Sequence, residues 1–191
     1  MTQGLAPYQK VAFVCYVFLP VYIVLHFYLL PGTLPGWTIQ IAYVAAGFLV
    51  IAFGIEAWKL ISDYRAGRLF PIRNATFFVT LFSLAAVPLL GLYFWSSGEE
   101  FSLPILLLIP VFLYYSVINL FYVRVDNVSL RARTGFRAPL DVPLFGLDRL
   151  EVGEEEIVVG GGEGPGVRLL RGYFFPKDWQ RLRARMRALE N

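Results

Sequence analysis

Four apolar runs, each about as long as a bilayer is thick, leave this chain few ways to fold. They cover residues 11–30, 37–61, 75–95 and 101–123. A helix needs roughly 20 apolar residues to cross the hydrocarbon of a membrane. No water is present there to partner the backbone, so each run is expected to be a helix that satisfies its own hydrogen bonds. The first run starts too late, and lacks the small-residue cleavage site, for a signal peptide. The composition points the same way: 57% of residues are hydrophobic and only 16% are charged, far from a soluble domain. The many aromatics suit lipid-facing helices with interfacial belts.

The flanks of the runs predict an orientation. Lys10 precedes the first run, Lys59, Arg65, Arg68 and Arg73 lie between the second and third, and Arg124 follows the fourth. The other two connections, PGTLPG and SSGEE, contain neither Lys nor Arg. The positive-inside rule then predicts a multi-pass protein of the inner membrane with cytoplasmic N- and C-termini and two short outer loops. Short links favour antiparallel neighbours, hence a compact four-helix bundle over residues 1–124.

Polar groups within the runs predict little chemistry. His26 has no carboxylate at its depth and is expected to hydrogen-bond a neighbour near the outer interface. Glu56 and Lys59 stand one helical turn apart and read as a pair that snorkels to the headgroups. Ser116 and Asn119 suit hydrogen bonds between helices. Pro20, Pro88, Pro104 and Pro110 are expected to bend their helices. Ala42, Ala46, Gly47 and Gly54 would let a second helix approach the second run closely, which marks Ala46, Gly47 and Gly54 as candidate interaction residues. Cys15 is the single cysteine, so no disulfide forms within the chain.

Beyond the fourth run the character changes. Residues 124–191 carry 12 of the 17 Lys and Arg and 10 of the 14 Asp and Glu. The stretch VSLRAR alternates apolar and polar side chains, which predicts a half-buried strand. A turn at residues 134–135 leads into FRAPLDVP, an edge strand because of Pro139. RLEV, EIVV and GVRLLRGYFF complete about five strands of a small antiparallel sheet. The glycine-rich stretch at residues 160–166 lacks the Lys-Ser/Thr of a phosphate loop and reads as a hairpin loop. Glu154, Glu155 and Glu156 are consecutive and cannot converge on one cation, so they read as a solvated turn. Asn74 and Asn127 match the glycosylation pattern but fall on the side expected to face the cytoplasm.

The chain closes on FFPKDWQRLRARMRALEN. Pro176 suits the first position of a helix and Asp178 the positive end of its dipole. Trp179, Leu182, Met186 and Leu189 then form a narrow apolar seam, with Arg181, Arg183, Arg185 and Arg187 on the other sides. So narrow a seam suits packing on a small sheet better than lying on a membrane. Nothing in the nearly charge-balanced tail suggests nucleic-acid binding.

The order of short strands, VPLFGLDRLEV, a glycine-rich hairpin and FFPKDWQRLRARMRAL resembles bacterial pleckstrin-homology-like domains over residues 126–189. There, a small domain follows transmembrane helices and ends in one helix that plugs its sheet. The resemblance implies a module for protein contact or assembly and names no catalytic residue. A full domain has seven strands where this tail shows about five, so headgroup binding is not carried over.

The predicted architecture is therefore a membrane α-helical bundle of four transmembrane helices. A small cytoplasmic α+β domain at 125–191 follows, its antiparallel sheet capped by a C-terminal helix. The function expected of it is non-enzymatic and without a cofactor: an accessory, scaffolding or assembly subunit. Its expected partners are membrane lipids and either other membrane subunits or further copies of itself. A transporter or channel component is the alternative, argued from bent helices, and an intramembrane enzyme using His26 or Glu56 is a weaker one.

Overall fold

The computed structural model describes residues 6–98, 102–133, 140–145, 149–160 and 166–190. The chain divides into two compact units. One comprises Met1–Trp58 and Phe82–Ile118, and the other Lys59–Leu81 and Asn119–Asn191.

The first unit is helical. Helix α1 spans Pro7–Ile23 and continues as one wide, π-helical stretch over Val24–Leu29, beyond Pro20. Helix α2 spans Trp37–Arg65, α3 Ala75–Ser97 and α4 Leu103–Ile118. Among the described residues, three helices are long and apolar enough to cross a membrane: α1 with its extension, α2 and α3. The fourth apolar run does not give a helix of full length. Its 16 helical residues rise about 24 Å, because Tyr122 already belongs to a strand.

The core of this unit is drawn from α1, α2 and α4. Its α2 seam consists of Ala42, Ala45, Ala46, Leu49 and Ala52, all buried. Gly47 and Gly54 are exposed on α2, and a Cβ added at either would meet no described atom within 4 Å. The buried small residues of α2 are thus alanines, Ala46 among them. Helix α3 contributes no residue to that core and faces α4 across an apolar groove between Ala86, Leu90, Leu108 and Phe112. Pro104 sits in the first turn of α4, where a missing N–H costs nothing, rather than at a bend.

The second unit holds seven described strands in two antiparallel sheets. Strands β1 (Leu69–Pro71), β2 (Tyr122–Val125), β3 (Ser129–Arg133) and β4 (Leu140–Pro143) form the first, in that order. Strands β5 (Arg149–Val152), β6 (Glu156–Gly160) and β7 (Val167–Leu170) form the second. The count exceeds the expected five because β1 comes from the connection between α2 and α3, and β2 from the end of the fourth apolar run. A boundary at 124/125 leaves β1 outside and cuts through β2, although the two pair directly, Leu69 opposite Arg124 and Pro71 opposite Tyr122.

Alternation builds the core. Val123 and Val125, Leu130 and Ala132, Ile157 and Val159, Val167 and Leu169 all point inward. Helix α5, Pro176–Glu190, closes it with Trp179, Leu182 and Met186, each at most 2% exposed. Leu189, the fourth residue of the expected seam, is 39% exposed and lies beyond the sheet's cover. The Trp179 indole N–H donates to the Glu154 carbonyl at 2.9 Å, satisfying its one polar atom. Gly153 makes the β5–β6 turn, where a Cβ would stand 2.9 Å from the Glu156 carbonyl oxygen. Residues 134–139 and 161–165, which include the expected turn, Pro139 and most of the glycine-rich loop, lie outside the described residues.

Candidate functional site

Helix α2 ends in a glycine. Gly67 adopts a left-handed φ of +67°, its N–H donates to the Tyr64 carbonyl, and the Arg68 N–H reaches back to the Asp63 carbonyl at 2.9 Å. This pair of bonds caps the last turn and throws the chain directly into β1. The same two residues meet through their side chains: the Arg68 guanidinium lies 2.9 Å from the Asp63 carboxylate. Arg124 on β2 approaches the other Asp63 oxygen at 3.0 Å and also pairs with Asp126 at 3.0 Å. Asp63 is only 7% exposed, so two cations neutralise a carboxylate that water barely reaches. The cluster locks the end of α2 to the centre of the first sheet.

Beside it lies a groove of about 590 Å³. Leu60, Ile61, Tyr64 and Arg65 of α2 form one wall, Leu69 and Pro71 of β1 the floor, and Phe77, Leu120, Phe175, Lys177 and Asp178 the rest. Phe175 stands edge-on to Phe77, ring centroids 5.5 Å apart. The Arg73 N–H donates to the Tyr173 carbonyl, which ties the start of α3 to the segment before α5. Asp178 is 3% exposed and accepts from the Tyr64 hydroxyl at 3.2 Å. Arg65 and Lys177 are exposed. Neither has a described carboxylate within ion-pair distance, unlike Arg68, Arg124, Arg131, Arg149, Arg168 and Arg171.

The outer faces of the sheets carry paired charges. Arg131 bonds Asp141 across β3 and β4 at 2.9 Å. Burial pushes the Asp141 carboxyl up, but hydrogen bonds from Arg131 and Ser129 outweigh it and hold the group below its ordinary range. Arg149 grips Glu151, holding that carboxyl low. Glu155 and Glu156 pair with Arg171 and Arg168 respectively, so two members of the acidic triplet serve strand pairing.

Several polar groups of the helices make bonds that their spacing in the sequence does not announce. Glu56 reaches across to α1 and accepts from the Tyr8 hydroxyl at 2.5 Å and the Gln9 amide at 2.7 Å. Its partners lie 47 and 48 residues away, beyond the reach of helical spacing rules. His26 stacks on Tyr22, ring centroids 5.1 Å apart, and its Nδ1 is buried without a hydrogen-bond partner among the described residues. Ser116 bonds back to the Phe112 carbonyl of its own helix at 2.9 Å rather than across to another. Asn74 caps α3, its side-chain oxygen accepting the Phe77 N–H at 2.8 Å.

Compared with protein families, curated proteins and solved structures, the chain matches none of them.

Proposed function

We propose that the chain is a four-span protein of the inner membrane whose cytoplasmic sheet unit is a pleckstrin-homology-like module for holding a partner. In this reading it is a non-enzymatic accessory or assembly subunit. The observation that carries the reading is the pairing of β1 with β2. β1 follows α2 after three residues and β2 follows α4 after three, so both helices must end on the same side. The segment between them, α3 and α4, therefore leaves and returns. If α3 crosses, α4 must cross too, and its 16 residues do so by local thinning of the bilayer and snorkelling flanks. The basic residues flanking those ends favour the cytoplasm as that side.

Support for the module comes from its strand count and its closing helix. Sheets of four and three strands with one C-terminal helix in the core match the resemblance better than five strands do. On its sheets Arg131, Arg149 and Arg168 pair with carboxylates of the same or a neighbouring strand, which supports a shaped contact surface. The test is purification of the full chain in mild detergent followed by mass spectrometry. A stoichiometric membrane partner is expected. A clean homo-oligomer that conducts a solute would instead favour the transporter reading.

A further inference from the structure

The groove beside Asp63 combines features that a water-soluble ligand would not need. Its walls are apolar, from Ile61, Leu69, Phe77, Leu120 and Phe175, yet two exposed cations, Arg65 and Lys177, stand on its lining. Its one carboxylate, Asp178, is turned inward and taken by the Tyr64 hydroxyl. A free anion would leave the apolar walls unmatched, and a neutral hydrophobe would leave both cations without a purpose. An amphiphile with a phosphate at one end matches both.

Chain continuity sets the depth. Helix α2 runs unbroken from Trp37 to Arg65, so the residues that line the groove follow directly on the apolar run. Phe77 lies in the first turn of α3. On the membrane reading proposed above, on which this inference rests, those turns sit among the headgroups of the cytoplasmic leaflet. The volume, about 590 Å³, is that of an ordinary small-molecule site.

We infer that the groove binds an anionic phospholipid of that leaflet. Arg65 and Lys177 meet the phosphate, and the upper acyl chain lies against Ile61, Leu120 and Phe175. Bound there, the lipid phosphate meets two cations that have no ion-pair partner among the described residues and joins the start of α5 to the end of α2.

The experiment uses the full chain in a neutral detergent, titrated with phosphatidylglycerol or phosphatidylcholine and read by native mass spectrometry. A basic residue beside net negative charge is worth about fivefold in binding, so two predict a preference of roughly twenty-five-fold for phosphatidylglycerol, whose phosphate no choline offsets. The double substitution Arg65→Gln with Lys177→Gln should bring the two lipids to near parity. Arg149→Gln with Arg168→Gln, on the face of the second sheet, should leave the preference unchanged. Leu120→Trp fills the groove, keeps both cations and should lower retention of phosphatidylglycerol. Circular dichroism confirms that each variant is folded. Equal binding of the two lipids by the parent, or an undiminished preference in the Arg65/Lys177 variant, would overturn the inference. Complete displacement of the lipid by inorganic phosphate would assign the cations to a free anion and overturn it as well. A chain that resists carbonate extraction but shows no preference sinks the lipid site and leaves the membrane reading intact. A chain that carbonate releases sinks both.

Discussion

Asp63 is where a single side chain decides most. It is nearly buried, and it pairs with Arg68 and Arg124 at once. Asp63→Asn keeps the shape but removes the charge between two arginines whose side chains are 42% and 34% exposed, and Arg124 keeps Asp126. With both cations still reached by water the cost should be about 1 kcal/mol, and a thermal melt of the purified protein should show the loss. Gly67 is a second such point. At φ +67° an alanine strains the backbone by about 1 kcal/mol although nothing crowds its Cβ, so Gly67→Ala should lower the melting temperature without changing the fold. Asp141 adds a pH dependence with a definite sign. Its carboxyl titrates below its ordinary value of 3.8 in the folded chain, so the unfolded chain takes up that proton first as pH falls. The Arg131–Asp141 pair therefore stabilises above the ordinary value and ceases to do so as pH drops through the depressed one. Melting curves between about pH 2 and 6 should show a shallower acid loss in Asp141→Asn than in the parent.

Among the elements, α5 and β1 carry the sheet unit. Trp179→Ala or Leu182→Ala opens a cavity in its core and should cost about 2–5 kcal/mol, enough to make the tail sensitive to protease. Leu189→Ala, or Arg183→Gln with Arg187→Gln, should cost about 0.5 kcal/mol or less. Equal protease sensitivity across these variants would refute the role given to the seam. Expression of residues 125–191 alone should yield an unfolded chain, because it lacks β1, all of β2 but Val125, and the core side chains Phe70, Ile72 and Val123. What the sequence made visible at this scale follows from local pattern. VSLRAR alternates over six residues and α5 carries its own cap and seam, so β3 and α5 could be read directly. β1 is three residues long and has no alternation to read. β2 begins with Tyr-Val, which with the preceding Phe121 continues an apolar run, so hydropathy assigns it to the membrane. Its strand character exists only because β1 and β3 flank it.

For the whole molecule, the apolar runs announced helices, but their ends and partners were set by tertiary contacts. The groove was hidden because its walls come from residues 60–77, 120 and 175–178, distant in sequence and unremarkable one by one. Arg65 and Lys177 read as flanking charges until the fold puts them on one surface. The Glu56 tie to Tyr8 and Gln9 was hidden for the same reason. The pairing of β1 with β2 reaches furthest, since on the proposed membrane reading it has α2 and α4 finish on one side. Cysteine accessibility tests that placement directly. In a Cys15→Ser background, single cysteines are placed at Ser97, at the end of α3, and at Ser129, on β3, and intact cells are treated with an impermeant thiol reagent. Labelling at position 97 with protection at position 129, reversed only when the membrane is opened, is the predicted result. Labelling at 129 with protection at 97 would contradict the four-span arrangement and its cytoplasmic sheet unit.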